Sequence, residues 1–374
     1  MTQTNTYDVL IVGGGLAGLS CALHLSKHDC KVLLIEKQSY PHHKVCGEYV
    51  SNEVLPYLNS LEIDPFQFGA KKITNFEISS KTGTLLSTKL PLGGFGMSRF
   101  ALDNLLYEAV SSNIDILFDT VENIDFNTNF QVSTLTKQVF TAEYVVGAFG
   151  KRSNIDTALH RPFMQQKSPW LAVKAHYKAD FSNDTVGLHN FKGGYCGLSR
   201  TETNAVNACY LTTYESFKRF GNIPDFEAAV LSKNPHLKQF YNTATPLFEK
   251  PLTISQISFQ VKQPVEHHIF MVGDSAGLIH PLCGNGMAMA IHSAKIFAET
   301  YLKHRKNGTK DREALENTYT LLWNQTFLKR LHTGRKIQKL LLHPTATSVG
   351  FSVAKLFPSI VPSIIKKTHG APLV

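Results

Sequence analysis

Residues 8–12, Asp-Val-Leu-Ile-Val, read as a buried parallel strand that runs directly into Gly13-Gly14-Gly15-Leu16-Ala17-Gly18, after which Leu16, Leu19 and Leu23 recur at helical spacing. A second apolar strand, Lys31 to Ile35, ends in Glu36, followed by Lys37. A strand, a glycine turn, a helix and an acid-tipped strand within forty residues form one complete βαβ unit. Gly13, Gly15 and Gly18 satisfy GxGxxG, a weak signal alone but specific when a strand precedes it, a helix follows and a carboxylate closes the next strand. Each position has a task. Gly13 permits the tight turn, Gly15 lets backbone approach a pyrophosphate, and Gly18 lets helix pack on strand. The helix start at Leu16 and Ala17 offers N–H groups and a positive dipole end to the phosphates. The Glu36 carboxylate can accept both hydroxyls of an adenosine ribose.

At 374 residues the chain exceeds the usual size of a single core, so two packed domains are expected. Residues 98–110 read as a helix with Leu102, Leu105, Leu106 and Ala109 on one face, and short strands are expected near 115–118, 130–135 and 144–149. Between about 168 and 262 strands alternate with turn residues, with a helical interlude near 225–240. The buried-strand pattern returns at Ile269–Val272, a long helix spans 285–304, and the remainder reads as helices broken by Pro344, Pro358 and Pro362. The expected fold is α/β: a Rossmann-type dinucleotide-binding domain (1–70, 98–158 and 265–305), an inserted mixed β-sheet substrate domain (71–97 and 159–264) and a C-terminal helical segment (306–374).

The second motif decides which dinucleotide is expected. Gly273-Asp274-Ser275-Ala276-Gly277 follows the strand at 269–272 and leads through His280-Pro281-Leu282-Cys283-Gly284-Asn285-Gly286 into a helix whose apolar stripe is Met287, Ala290, Ile291, Ala294, Phe297 and Tyr301. A carboxylate at a strand end suits a ribityl or ribose hydroxyl. A glycine-loosened helix start suits the pyrimidine edge of a flavin, where reduction places negative charge. With Glu36, these motifs resemble the superfamily of p-hydroxybenzoate hydroxylase, other single-component FAD monooxygenases and geranylgeranyl reductases, over residues 7 to about 305. The resemblance implies that Asp274 holds the ribityl chain and that backbone N–H groups at Gly286 and Met287, beyond Gly284 and Asn285, face the pyrimidine. It places Arg99 at a helix start near the cofactor, and the backbone of Val121 against adenine. Lys44-Val45-Cys46-Gly47-Glu48 resembles the Cys-Gly motif of the reductase branch, which lies beside the isoalloxazine. Gly194-Tyr195-Cys196-Gly197-Leu198 stands where that branch carries Tyr-x-Trp-x-Phe-Pro, with only the tyrosine in common. Phe149 replaces the aspartate of the Asp-Gly pair through which the hydroxylases contact FAD and NADPH phosphates. Within the superfamily the chain most resembles bacterial oxidoreductases associated with polyketide or aryl-polyene pigments.

These motifs lead to an NAD(P)H-dependent FAD monooxygenase acting on a lipophilic aromatic or polyketide-like small molecule. A flavin-dependent reductase of isolated double bonds is the alternative, and a non-catalytic flavin-binding module stands as an alternative of another class. Cys46, Tyr195 and His280 are the candidate catalytic residues, with Trp170 a candidate cavity wall beside Tyr195. Six scattered cysteines lack CxxC spacing and point to a reducing compartment, and the N-terminus shows no export signal, so a cytoplasmic location is expected. Sixteen histidines form no metal-ligand pattern, so no metal is expected. The net charge of +9 is concentrated at the end: no Asp or Glu follows Glu316, while Lys329, Arg330, Arg335, Lys336, Lys339, Lys355, Lys366 and Lys367 do. No nucleic-acid-binding signature accompanies these charges, so no nucleic-acid partner is expected. A solvated helix face is the plain reading. Because apolar residues are interleaved, a peripheral membrane contact that also covers the substrate entrance, through residues 326–374, stands beside it.

Overall fold

A computed structural model describes residues 6–308 and 311–374. The βαβ unit forms as the glycine pattern requires: strand Thr6–Val12 leads into helix Leu16–Ser26, and strand Val32–Glu36 returns parallel to the first, with Val9 opposite Val32 and Val12 opposite Ile35. Both strands are buried on two faces, as their unbroken apolar runs demand. Val139–Gly147 pairs parallel to the first strand on its other side, Ile269–Met271 follows it, and Asp115–Phe118 lies beyond Val32–Glu36. An antiparallel pair, Val121–Phe126 with Phe130–Thr134, extends the sheet. The first strand of this pair escaped the sequence reading because its exposed acids and asparagine interrupt the apolar signal. The strand expected near 144–149 begins earlier, at Val139, for the same reason.

A second, mixed sheet runs in the order Thr245–Pro246, Trp170–Lys178, Val206–Thr213, Gly194–Arg200, Thr185–Phe191, Lys71–Ser79, Leu85–Gly96, Tyr49–Ser51. Thr185–Phe191 lies parallel to Lys71–Ser79, and the other pairings are antiparallel. One face is covered by Ile223–Ala229 and Pro235–Thr243, two short helices in place of the single interlude expected, the second begun afresh by Asn234 as its cap and Pro235 in its first turn. The other face, with Ala172, Leu188, Tyr195 and Leu211, turns toward the first sheet.

The C-terminal half of the core is built on two long helices. Gly286–Lys306 packs on Leu16–Ser26, and Arg312–Leu342 sets Leu315, Tyr319, Trp323, Phe327 and Leu331 in one buried four-residue row. Helices Pro344–Leu356 and Ile360–Thr368 follow. Pro344 and Pro358 mark the breaks, but Pro362 lies in the first turn of the last helix, where a missing N–H costs nothing. The chain end is strapped back: the Gly370 amide donates to the Glu53 carboxylate (2.5 Å), Arg330 pairs with the same carboxylate (3.2 Å), and Asn285 Nδ2 donates to the Thr368 carbonyl (2.8 Å).

Candidate functional site

A single cavity of about 1640 Å³ lies between the sheets and is closed on one side by the C-terminal helices. At one end stand Gly13, Gly15, Leu16, Ala17, Glu36, Lys37 and Val121; in the middle Lys44, Cys46, Arg99, Asp274, Gly284, Gly286 and Met287; and Tyr195 toward the second sheet. Residues more than two hundred positions apart in sequence thus share one wall. Three expected site residues do not line it. Gly18 instead packs beneath the turn: a Cβ there would meet the Gly13 carbonyl oxygen at 1.9 Å, so only glycine lets the helix approach, while Gly13 itself holds φ +105°. Asn285 is buried with its amide on Thr368. His280 is buried among Phe259, Trp170 and Tyr195, ring centroids 4.5, 5.8 and 5.8 Å away, and Trp170 likewise packs behind the cavity and not along it.

The residues present fit an FAD. Two helix N-termini, at Gly15 and at Gly286, open on the cavity without side-chain caps, leaving their first N–H groups for an anion or an electron-rich ring edge. Gly15 leaves open space: a Cβ there would lie no nearer than 3.6 Å to Arg99 Nη2 and 4.0 Å to Lys44 Nζ. Those two cations bracket the turn, and the carboxylate of Asp103 holds both, accepting from Arg99 Nη2 at 2.7 Å and from Lys44 Nζ at 2.9 Å. Burial alone would raise the Asp103 carboxyl, but Arg99 and Lys44 outweigh it and hold it below the usual carboxylate range. Glu36 is buried and accepts from the amides of Gly14 (2.6 Å) and Gln38 (3.1 Å), which fixes the carboxylate at the cavity edge. The Asp274 carboxylate makes no hydrogen bond among the described residues, while the Asp274 carbonyl is held by Lys262 Nζ at 2.8 Å. Losing one charge-assisted hydrogen bond costs about 1.5–3 kcal/mol. Glu36→Ala and Asp274→Ala should therefore each weaken FAD binding by roughly tenfold to a hundredfold without unfolding the apoprotein. Titration of apoprotein with FAD, followed by flavin fluorescence, measures this; unchanged affinity in both variants would overturn the placement.

The Lys44–Glu48 loop is held in a way its sequence does not announce. Its carbonyls are taken in succession: Lys44 by Lys174 Nζ (3.1 Å), Val45 by Lys151 Nζ (3.2 Å), Cys46 by Asn207 Nδ2 (3.2 Å), Gly47 by Ser199 Oγ (3.0 Å) and Glu48 by the Met97 amide (3.2 Å). Glu48, at φ +55° and fully buried, turns its carboxylate inward to the Lys174 ammonium, to His176 Nε2 (2.6 Å) and to the Arg99 amide (2.8 Å). Burial would push the Glu48 carboxyl up, yet His176 and Lys174 together hold it below its ordinary range. This group was missed at the sequence level. The available signal was Lys174 and His176 two apart in the otherwise apolar strand 170–177, charged groups on one buried face. His43, Glu48 and His176 bring ligand atoms within 4.8 Å of one another, the one such group among the described residues. The Lys174 ammonium already occupies that carboxylate, so positive charge is supplied without an ion.

His280, a candidate catalytic residue by sequence, is pushed down to about 3 by burial and has no hydrogen-bond partner on either ring nitrogen among the described residues. It is a neutral packing ring away from the cavity wall, as an apolar surround dictates. Tyr195 is buried, hydroxyl included, and its phenol is driven well above its ordinary range by burial. Burial pushes the thiols of Cys209 and Cys283, both on the cavity wall, up to about 12.

Residues 8–45 match the family model described as FAD dependent oxidoreductase. The chain is 25% identical over 340 residues to the digeranylgeranylglycerophospholipid reductase of Methanosarcina acetivorans, covering 86% of this chain and 81% of that one. It is 24% identical over 334 residues to an uncharacterized protein of Methanosarcina barkeri, covering 85% and 80%. Among solved structures, the flavin-dependent brominase Bmp2 superposes with a TM-score of 0.77 at 14% identity, over 97% of this chain and 93% of that one. PqsL of Pseudomonas aeruginosa, described as a probable FAD-dependent monooxygenase, superposes with a TM-score of 0.72 at 15% identity, over 93% and 100%. These structures share the fold: a parallel dinucleotide sheet joined to a second, mixed sheet.

Proposed function

We propose that this FAD-dependent oxidoreductase is a monooxygenase that draws electrons from NAD(P)H and hydroxylates a lipophilic aromatic or polyketide-like compound. The observation that carries this reading is the chemistry of the chamber beyond the flavin site. Its walls are Phe76, Ile78, Ala172, Leu188, Leu211 and Ile257 on the sheet side and Ile337, Leu341, Phe351 and Ile365 on the helical side. His280 lies off the cavity wall and is neutral. The Cys209 and Cys283 thiols on the wall stay protonated at neutral pH. Such a chamber takes an apolar molecule, which on entering would displace the water that oxygen transfer must exclude.

When bound, FAD supplies hydride acceptance and the activation of dioxygen. The chain's own residues do the rest. Glu36 and Asp274 would hold cofactor hydroxyls, the helix starts at Gly15 and Gly286 would face the pyrophosphate and the pyrimidine, and Arg99 and Lys44 would neutralise phosphate charge. Tyr195 lends its ring to the cavity wall, with its hydroxyl buried. A reductase of isolated double bonds is the second reading, favoured by the Cys46 thiol on the cavity wall and by relatives named as reductases. Long-chain alkylphenols and isoprenoid lipids, each offered with NADPH under isotopically labelled dioxygen, separate the two. Label in a hydroxylated product is the expected result. A product that gains two hydrogens without oxygen, and no label in air, would replace the monooxygenase with the reductase.

A further inference from the structure

The last two helices carry apolar residues on both sides. Phe351, Ala354, Val361 and Ile365 line the cavity together with the more exposed Val349, Val353 and Ile364, while Leu356 and Phe357 lie off it and are exposed. Large apolar side chains exposed together at one place call for a cover. Thr345–Leu356 and Ile360–Thr368 together are apolar enough to enter a bilayer but meet at 114°, and no single helix among the described residues is long and apolar enough to cross one. The bend presents an elbow, with Leu356 74% and Phe357 60% exposed at its tip. The far end of the pair is fixed to the body through Asn285 on Thr368 and Glu53 on Gly370, so the elbow is a rigid projection.

The charges around this elbow say what covers it. Lys336, Lys339, Lys355, Lys366 and Lys367 are exposed, and no Asp or Glu follows Glu316. Lys355 stands beside the apolar tip and Lys366 and Lys367 at the other end of the last helix, and with no acid on either helix the pair complements an anionic lipid surface, apolar residues among the acyl chains and ammonium groups at the headgroups. We propose that the elbow at residues 349–367 docks the protein on an anionic membrane surface, with Leu356 and Phe357 inserted and Lys355, Lys366 and Lys367 at the headgroups. The same two helices close the apolar end of the cavity, so docking brings that end against the bilayer. This holds for either reaction proposed above, because it rests on the helices alone.

Flotation of the FAD-loaded protein with vesicles tests it, using phosphatidylcholine alone and phosphatidylcholine with about one third phosphatidylglycerol. Binding to the mixed vesicles, weak binding to the neutral ones and release by salt are expected. The pair Leu356→Ser and Phe357→Ser should lower binding by roughly tenfold to a hundredfold. Lys366→Glu with Lys367→Glu should lower it by on the order of tenfold or more, whereas the same reversal at Lys218 and Lys238, exposed on helices over the second sheet, should leave it intact. All substituted side chains are exposed, so matching melting curves are expected and show that the variants fold. No binding to mixed vesicles, or equal binding by both elbow variants, overturns the proposal. So does a native dimer that the serine pair dissociates, since a second copy would then cover the elbow.

Discussion

Glu48→Ala is expected to remove about 3–5 kcal/mol of folding stability, the cost of stranding a buried charge. The Glu48 carboxylate and the Lys174 side chain are both 0% exposed, so after substitution the ammonium has neither water nor an acid to face. His176 and the Arg99 amide lose the same acceptor. A whole domain is held by about 5–15 kcal/mol, so the urea midpoint should fall by a large fraction of its value. Glu48→Leu combined with Lys174→Met should recover most of the loss, because apolar groups of similar volume need no partner. A midpoint unchanged by Glu48→Ala would mean the pair is not the support described. The pH dependence has a definite sign. A carboxyl held low in the folded state stabilises above its unfolded value, about 4.3, and that contribution is lost as pH falls through the lower folded value. Wild type should therefore lose stability in acid more steeply than the double variant E48L/K174M.

The second large effect is expected from Asp103→Ala. Asp103 is 1% exposed and is shared by Arg99 and Lys44, whose side chains are 14% and 26% exposed. Because both cations retain some access to the cavity, the cost to the apoprotein should fall toward the low end of about 3–5 kcal/mol. The pyrophosphate of bound FAD offers those cations a new counter-charge. Saturating FAD should then raise the melting temperature of Asp103→Ala by more than it raises that of the wild type. Equal shifts for the two proteins would show that Arg99 and Lys44 do not reach the pyrophosphate.

What the sequence disclosed and what it withheld divide along distance in the chain. The glycine turn, Glu36 and the start of Gly286–Lys306 were legible because strand, turn and helix signals are local: each residue's task is set by neighbours within a turn or two. Ser98 at the cap and the Arg99–Asp103 pair one helical turn apart were equally local, but the apolar face at Leu102, Leu105 and Leu106 drew the reading to packing instead. Glu48, Lys174 and His176 were not legible, since nothing near position 48 shows that a strand well over a hundred residues later returns a lysine to it. His280 failed differently. Its place in the motif was read correctly, yet the direction of its ring is set by Trp170, Tyr195 and Phe259, which belong to the other sheet and its flank.

The donors that hold the Lys44–Glu48 carbonyls come from far along the chain: Lys151, Lys174, Ser199 and Asn207 lie 106 to 161 residues from their acceptors. Contacts of such separation must overcome loop-closure entropy before they return any stabilisation, and they form late in folding. The glycine turn can close within its own forty residues, but this loop takes its shape only after the second sheet has been made and has met the first. The two halves of the cavity thus differ in the length of chain that must be closed before each takes shape, about forty residues for the glycine turn's own unit and more than a hundred for the Lys44–Glu48 loop.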